Sequence, residues 1–300
     1  MSRARARLVA LQLLLVLAAA GGCVDDLAIL ASRAPGPDAA RDVVPPDVAS
    51  DVAQPDSSAD GPAPPELVAP AILYRFDEGA GDRVLDSSGS GTLVHLRIAD
   101  TAKVTWLSDA LRIDSAVLIR SEQPPRDFYD ACRASGELSI EAWVRPAQTV
   151  VAGTHRIVSA SASPSVRNFL LGQGGLNAQP AIDAFVLRVR TSSTDNNGLP
   201  MLSSGVGTAT TSLQHVVAVR AADGSVTLFV DGKAVAQGTR GGDLANWAPD
   251  LLLALGDEIG SSDTTRAWLG ELHLVALYAV ALTPQQVARH LAAGPTRSIQ

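Results

Sequence analysis

The feature that most constrains the fold is a series of short apolar segments that begins near residue 70 and continues almost to the C-terminus. Several of them alternate apolar and polar residues: in SVTLFV, Val226, Leu228 and Val230 share one face, and LSIEAWV (138–144) alternates in the same way. A period of two is typical of β-strands, whose successive side chains point to opposite faces. Many such strands separated by turn residues predict an antiparallel sandwich or barrel.

Two local signals add detail to this all-β prediction. Asp231-Gly232 in FVDGKAV predicts a two-residue hairpin turn, because both residues tolerate the left-handed backbone that such turns need. One helix is predicted near the C-terminus, with Thr283 as its N-cap, Pro284 at its first position and Gly294 at its end.

The N-terminus has the pattern of an export signal. MSRARAR is positively charged, and the apolar run that follows is about 13 residues long, short of the roughly 20 that a membrane-spanning helix needs. LAAAGGC then resembles a bacterial lipobox, which predicts a lipid on Cys23 and cleavage just before it, although Ala20 stands where leucine is preferred. The alternative is ordinary cleavage after Ala20, which leaves Cys23 a plain thiol. Val24 rather than aspartate follows Cys23, and this resemblance implies the outer membrane.

The charge is unevenly distributed along the chain. Residues 23–66 carry nine acids and two arginines, are rich in proline, aspartate, alanine and serine, and contain no aromatic residue. Such a segment cannot bury enough apolar surface to fold, so we expect a disordered tether. The predicted organisation is a signal peptide (1–22), a tether (23–68) and a folded domain (69–300). Residues 67–300 carry 19 bases and 22 acids, which lacks the basic footprint of a nucleic-acid-binding domain.

The two cysteines, Cys23 and Cys132, fit this organisation. If Cys23 carries a lipid, Cys132 stands alone, and we expect a buried, unreactive thiol that packs as a small apolar side chain. A Cys23–Cys132 disulfide is the alternative if lipidation fails. No CxxC pair or Cys/His cluster indicates a zinc site.

Four segments, in order and spacing, resemble the laminin-G-like, concanavalin A-like jelly rolls of bacterial surface proteins. They are LYRFDEGAGDRVLDSSGSG, LSIEAWVRP, LQHVVAVRAADGSVTLFVDGKAV and LGELHLVALYAVALTPQQV, and the resemblance covers roughly residues 70–294. It implies an all-β, two-sheet antiparallel jelly-roll sandwich with a short C-terminal helix and with the first and last strands side by side. This architecture hosts lectins, adhesion modules, enzyme appendages and hydrolases, so it implies no single activity.

The glycine-rich stretch at residues 73–91 resembles the turn that follows the first strand in this family. Gly79, Gly81, Gly89 and Gly91 supply positive φ angles, and Asp86 is expected to accept hydrogen bonds from backbone amides two residues on. A phosphate cradle is not indicated, because no Gly-Lys-Ser/Thr follows.

A structural calcium ion is the alternative reading of the same stretch. Asp77 and Asp86 are the candidate ligands, because calcium prefers several carboxylate and carbonyl oxygens. Relatives of this fold often hold such an ion with the help of an aspartate on the last strand. His273 and Leu274 stand at that place here, and a neutral imidazole is a poor calcium ligand. We therefore expect a turn that needs no metal.

The sequence indicates no catalytic residues. Glu137 and Glu141 are four residues apart, about 13 Å on a strand, which is wider than the paired carboxylates of glycosidases. We expect both to be solvated. His215 and His273, in apolar strands, are expected to be hydrogen-bonded core histidines.

Three functions stay open at this level. The first is a surface-tethered, lectin-like or adhesive module that binds glycan or extracellular protein through its end loops or its concave face. The second is a spacer domain without a ligand, and the third is a glycan-active hydrolase. A binding module should show a groove with convergent polar groups and one or two exposed aromatic residues. The four tryptophans are expected mainly in core or rim positions: Trp106, Trp143, Trp247 and Trp268.

Overall fold

The computed structural model describes residues 66–175, 183–262 and 264–297. They belong to the second of the two units into which the chain divides, residues 60–300. The predicted signal peptide, Cys23 and all but the end of the tether lie outside the described residues. Within those residues, no helix is both long enough and apolar enough to cross a membrane.

The described part of the chain is mostly β-structure with two helices. The strands are β1 (Ile72–Tyr74), β2 (Arg83–Val84), β3 (Leu96–Ile98), β4 (Val104–Trp106), β5 (Leu111–Ile113), β6 (Ile119–Ser121), β7 (Leu138–Pro146), β8 (Thr154–Ser163), β9 (Val166–Gly174), β10 (Phe185–Val189), β11 (Leu202–Ser203), β12 (Gln214–Arg220), β13 (Ser225–Val230), β14 (Lys233–Thr239), β15 (Leu252–Leu255) and β16 (Gly270–Tyr278). The helices are α1 (Arg126–Ser135) and α2 (Pro284–Ala293).

The strands form two antiparallel sheets of eight strands each. Sheet A has the order β14-β13-β12-β7-β16-β5-β4, with β1 also paired to β16, and sheet B has the order β11-β10-β9-β8-β15-β6-β3-β2. Ile72 of β1 lies opposite Leu277 of β16, which confirms that the first and last strands are neighbours. The predicted two-sheet sandwich is therefore confirmed.

The main hydrophobic core lies between the facing sides of the two sheets. On β10, Phe185, Leu187 and Val189 point into this core, whereas Arg188 points to the opposite side of sheet B. Each fully buried large apolar side chain contributes roughly 1.5–3 kcal/mol to folding. The strict alternation of strand side chains is what leaves the second face of each sheet available for other contacts.

The predicted hairpin and C-terminal helix are both confirmed. Asp231 and Gly232 have φ angles of 49° and 75°, the left-handed conformation that a tight hairpin turn requires. At the start of α2, the Thr283 hydroxyl accepts a hydrogen bond from the Gln286 amide, and the Gln286 side chain in turn accepts one from the Thr283 amide. This reciprocal cap fixes the first turn of the helix.

Helix α1 was not predicted from the sequence. Its buried side, formed by Phe128, Tyr129 and Cys132, packs into the main core, and the helix ends at Gly136, which has a φ of 70°. Cys132 is a buried free thiol, as predicted, and burial raises its pKa.

A buried group of charged residues joins the C-terminal segment to the outer face of sheet A. Glu141 on β7 is fully buried, so the prediction that it is solvated is wrong. One of its carboxylate oxygens lies 2.8 Å from Nε2 of His215. The other lies 2.9 Å from Nδ1 of His290 and accepts hydrogen bonds from Arg297 at 2.6 Å and from Tyr278 at 2.7 Å. His290 and Arg297 belong to α2 and the chain that follows it, so this carboxylate holds both against the sheet.

The histidine and Glu137 predictions had mixed outcomes. His215 is a buried, hydrogen-bonded histidine, as expected, and its ring stacks against Trp143 with a centroid distance of 4.8 Å. His273 is only half-buried and lies 3.1 Å from a carboxylate oxygen of Glu271, so it is not a core histidine. Glu137 is half-buried and accepts a hydrogen bond from the backbone of the segment before α2.

The environment of Glu141 makes stability depend on pH in a defined direction. Burial alone raises the pKa of Glu141, but hydrogen bonds to His215 and His290 and the charge of Arg297 outweigh burial and hold that pKa well below its ordinary value of 4.5. The folded state therefore favours the ionised carboxylate. Its contribution to stability is complete above the unfolded pKa and is lost as the pH falls toward the folded pKa.

We expect Glu141→Gln to lower the free energy of unfolding by about 3–5 kcal/mol at pH 7, because it leaves the buried guanidinium of Arg297 without its counter-charge. Urea unfolding at a series of pH values measures this. The control is Glu271→Gln, which removes a partly exposed pair with Arg145 and should cost about 1 kcal/mol or less. Below the unfolded pKa of Glu141, the difference in the free energy of unfolding between the parent and Glu141→Gln should become smaller. A variant as stable as the parent at pH 7 would contradict the structural role given to this carboxylate.

Candidate functional site

The outer face of sheet B carries a buried layer of arginine and serine side chains. Arg188 on β10 and Ser159 on β8 share this face, because both lie opposite Leu170 of β9. An irregularity in the β8–β9 pairing shifts the register so that Arg167 lies opposite Ser161 and reaches the same side. Arg167 and Arg188 are 0% and 3% exposed. The polar side of this sheet is therefore covered, although it faces away from the main core.

Glu258, in the loop after β15, is the acidic centre of this layer. One of its oxygens accepts hydrogen bonds from Arg156 Nε at 2.7 Å and lies 3.2 Å from Arg167 Nη2. The other oxygen accepts a hydrogen bond from the Ser161 hydroxyl at 2.5 Å. Glu258 is 3% exposed. A single buried carboxylate is thus shared by two guanidinium groups.

Arg188 differs from its neighbours because its hydrogen-bond acceptors are neutral. It donates to the Asn197 side-chain oxygen at 3.1 Å and to the Thr154 hydroxyl at 2.9 Å. Its Nε, like Nε and Nη1 of Arg167, is buried without a hydrogen-bond partner. A buried donor without a partner costs the free energy of its lost hydration, about 1–3 kcal/mol and more when charged.

Burial and the neighbouring charges both act on the arginines of this layer. Burial, followed by the charges of Arg167 and Arg156, lowers the pKa of Arg188 to about 10, against the opposing influence of Glu258 and Asp195. Burial also lowers the pKa of Arg167 to about 10, against the opposing influence of Glu258. Both guanidinium groups stay charged at neutral pH, and an additional negative group nearby would stabilise them.

A groove of about 310 Å³ opens onto this layer. Thr154, Arg156, Arg188, Asn197 and Arg266 supply its polar wall. Among the described residues that line it, none is acidic and none is aromatic. The groove is therefore a basic cavity with neutral hydrogen-bonding groups beside the charges, and we call it the sheet B groove. Its size falls at the lower end of the range for small-molecule sites.

A second cavity, of about 340 Å³, lies between residues 90–94 and the start of α1. Its wall includes Ile72, Val94 and Phe128, and the Asp127 carboxylate on its rim already accepts a hydrogen bond from the Thr92 amide at 3.4 Å. Although this cavity is slightly larger, its described lining carries one arginine beside one aspartate, whereas the sheet B groove carries three arginines and no acid. The sheet B groove is therefore the better candidate for an oriented polar ligand.

Asp86, one of the two candidate calcium ligands, organises the turn after β1. It is 4% exposed, and one oxygen accepts hydrogen bonds from the Leu73 amide at 3.1 Å and the Ser88 amide at 3.0 Å. Its other oxygen accepts one from the Val94 amide at 2.9 Å. The contact with Ser88 confirms the predicted bond to the amide two residues on. The expected positive φ angles are also present at the glycines of this turn, Gly79, Gly81, Gly89 and Gly91.

These donors do not fit a calcium ion. Calcium takes six to eight oxygen ligands, whereas the Asp86 oxygens face three backbone N–H groups and Asp77 is exposed. In the described ranges, no group of three or more His, Cys, Asp or Glu side chains could hold a metal. The geometry favours a turn closed by hydrogen bonds.

We expect calcium to leave the melting temperature of the parent protein unchanged within error. Asp86→Ala should lower the free energy of unfolding by about 3 kcal/mol, one for each lost hydrogen bond, with or without calcium. Asp86→Asn, which keeps one acceptor, should lose less. Thermal melts in calcium and in chelator measure all three proteins. A calcium-dependent rise in the parent that Asp86→Ala abolishes would show that a metal site exists here.

The tryptophans occupy core and rim positions, as predicted. Trp247 and Trp268 are buried in the main core, and Trp143 packs on the outer face of sheet A. Trp106 is half-buried and donates to the Gly81 carbonyl at 3.0 Å. None of the four lines the sheet B groove, so a ligand there would be held by polar groups.

The residues of the sheet B groove were not predicted as a site. Arginine at position 188 inside the apolar run AFVLRVRT was a usable signal, since a charged residue within a buried strand needs a partner. The alternating polar residues of HRIVSAS were another. The position of Glu258 could not be found from its sequence neighbours, because a loop brings it to the strands.

The comparisons with known proteins agree with this architecture. A family model of laminin-G type, described as the concanavalin A-like lectin/glucanases superfamily, matches residues 120–288. Because the match covers more than half of the chain, this protein belongs to that family. No curated protein matched the sequence.

Solved structures share the fold at low sequence identity. The binding domain of botulinum neurotoxin serotype D/C is 10% identical, with a TM-score of 0.56 over 75% of this chain and 52% of that chain. A binding domain of botulinum neurotoxin DC, in complex with SialylT, is 11% identical, with a TM-score of 0.57 over 75% and 51%. Trypanosoma rangeli sialidase is 15% identical, with a TM-score of 0.54 over 78% and 35%. The chain thus spans about half of the toxin domains and a third of the sialidase. The fold occurs in binding domains and in an enzyme alike.

Proposed function

We propose that this chain is an exported, lipid-anchored protein whose folded domain is a non-catalytic, lectin-like module that binds a glycan in the sheet B groove. The observation that carries this proposal is the convergence of Arg156, Arg188, Asn197 and Thr154 on one cavity. A few well-placed polar groups in a concave site are what orient a ligand.

The placement of the carboxylates supports binding rather than hydrolysis. Glycosidases generally use two carboxyl groups that flank the bond they cleave. Glu141 lies on sheet A, where His215, His290, Arg297 and Tyr278 already surround it. Glu258 is held by two guanidinium groups beneath the groove. Each of these two carboxylates is therefore already bonded to side chains that it holds in place.

The chemistry of the groove and the fold both support a glycan as the ligand. Sugar hydroxyls donate and accept hydrogen bonds, and the groove presents both charged donors and neutral side-chain oxygens. One structure with this fold is a toxin binding domain in complex with SialylT, and another concerns a neurotoxin whose cell entry depends on two ganglioside molecules. Those properties belong to the toxins, and they are one reason why we propose a glycan as the ligand of this chain.

The proposal also includes a lipid anchor at Cys23. A lipid on Cys23 would hold the protein on the outer membrane, each buried methylene contributing ~0.8 kcal/mol, and the acidic tether would separate the domain from the surface. Mass spectrometry of the mature protein should find a lipid-modified N-terminus at Cys23, and Cys23→Ser should abolish partition into detergent. An unmodified N-terminus at Gly21 would contradict lipid anchoring.

A glycan array probed with the full chain tests the proposed function. We expect binding to at least one glycan class. Arg188→Gln should weaken that binding about tenfold or more, which corresponds to about 1.4 kcal/mol. The matched control is Arg112→Gln, because Arg112 lies on β5 of sheet A and pairs with Asp114. Melting curves check that each variant is folded. A spacer domain without a ligand would bind no glycan, and that result would refute the proposal.

A further inference from the structure

We propose that the sheet B groove recognises the negatively charged group of an acidic saccharide, a carboxylate or a sulfate ester, through the guanidinium groups of Arg188 and Arg156. The inference rests on the proposed function and adds the chemical class of the ligand. It comes from the balance of charges and hydrogen bonds around the groove.

Among the described residues, Arg188 lines the groove without a direct carboxylate contact. Arg156, Arg167 and Arg188 are at most 3% exposed. Glu258 bonds to Arg156 and Arg167, whereas Arg188 bonds to the neutral Asn197 and Thr154. The charges of Glu258 and Asp195 act on Arg188 from further away. An anion in the groove would therefore supply the direct contact with a negative charge that Arg188 lacks.

The groove presents guanidinium donors in a fixed geometry. A guanidinium group offers five N–H donors in a planar fork that matches two oxygens of a carboxylate or sulfate. On Arg188, the bonds to Asn197 and Thr154 hold the plane of the fork. An arginine fixed in this way is already arranged for an oxyanion in the groove, so little side-chain freedom is lost on binding.

The charge of the arginines favours an anion over a neutral sugar. A sugar hydroxyl could bond to a guanidinium of the groove wall, but it would leave the buried positive charge uncompensated. Burial, and then the charges of Arg167 and Arg156, lower the pKa of Arg188 against the opposing influence of Glu258 and Asp195. A carboxylate or sulfate in the groove would reduce the repulsion between the arginines.

The size and lining of the groove favour a compact molecule as the carrier of the anion. Residues 67–300 carry 19 bases and 22 acids, so the domain as a whole does not attract polyanions and the recognition is local. The described part of the groove wall has no aromatic residue for stacking a base, and its volume of about 310 Å³ suits one or two sugar units. A compact acidic saccharide fits these limits better than a nucleic acid.

Paired probes on the glycan array test the inference with the full chain at fixed ionic strength. One pair is the galacturonic acid trisaccharide and its methyl ester, and the other is a sulfated galactan oligosaccharide and its desulfated counterpart. We expect at least one charged probe to bind about tenfold or more tightly than its neutral partner. The pair that shows this preference identifies the carboxylate or the sulfate as the recognised group.

Variants then assign the preference to the groove. Arg188→Gln should reduce the charged-to-neutral ratio to near one, Arg188→Lys should retain part of it, and Arg112→Gln should leave it unchanged. If Arg188→Gln fails to fold, Arg266→Gln, at the half-buried rim, should reduce the ratio about threefold or more.

The other outcomes distinguish a failure of this inference from a failure of the proposed function. Groove-dependent binding to neutral glycans alone would overturn the inference and leave the proposed function standing. Binding to no saccharide would overturn both, and binding of poly-glutamate without any saccharide would replace them with an acidic-peptide site. A charged-probe preference that survives both groove variants would place the anion elsewhere on the protein.

Discussion

The candidate binding site depends on one buried interaction, in which Arg156 and Arg167 share the carboxylate of Glu258. Burying a charge is costly unless an opposite charge and hydrogen bonds accompany it. Glu258 provides this for two guanidinium groups and leaves Arg188 bonded to neutral acceptors. Within the described residues, the outer face of sheet B thus combines a buried ion pair with an arginine that has no direct carboxylate contact. From this combination we infer a site for an anion.

The two outer faces of the sandwich use buried carboxylates in opposite ways. On sheet A, Glu141 is surrounded by two histidines, an arginine and a tyrosine, so its charge is compensated and the C-terminal segment is held in place. On sheet B, Glu258 pairs with Arg156 and Arg167, and a groove opens beside them. The same β-sandwich thus presents one closed face, which contributes stability, and one partly open face, which we assign to binding.

Much of the fold was predictable because it depends on local patterns. Alternation placed the strands, Asp231-Gly232 specified a hairpin, and Thr283 with Pro284 specified the start of α2. The role of Asp86 followed from the preference of aspartate for hydrogen bonds to nearby amides. Helix α1 was missed because, unlike α2 of the same length, it begins without a side-chain cap.

The candidate site was less predictable, because it depends on contacts between distant parts of the chain. Alternation shows which residues leave the core, but it cannot show whether another element covers the outer face, and this is why Glu141 was wrongly expected to be solvated. Arg167 reaches the groove layer only through an irregular strand pairing. Glu258 enters from a loop about 90 to 100 residues away in sequence from its partner arginines. A sequence pattern contains no direct signal for either placement.

The most direct measurement is a crystal structure of the protein grown with the galacturonic acid trisaccharide. We expect density for the saccharide in the sheet B groove, with a carboxylate oxygen about 2.9 Å from a guanidinium nitrogen of Arg188. Density for the saccharide in the cavity beside α1, or a saccharide whose carboxylate points away from Arg188 and Arg156, would contradict the assignment of this groove as an anion-binding site.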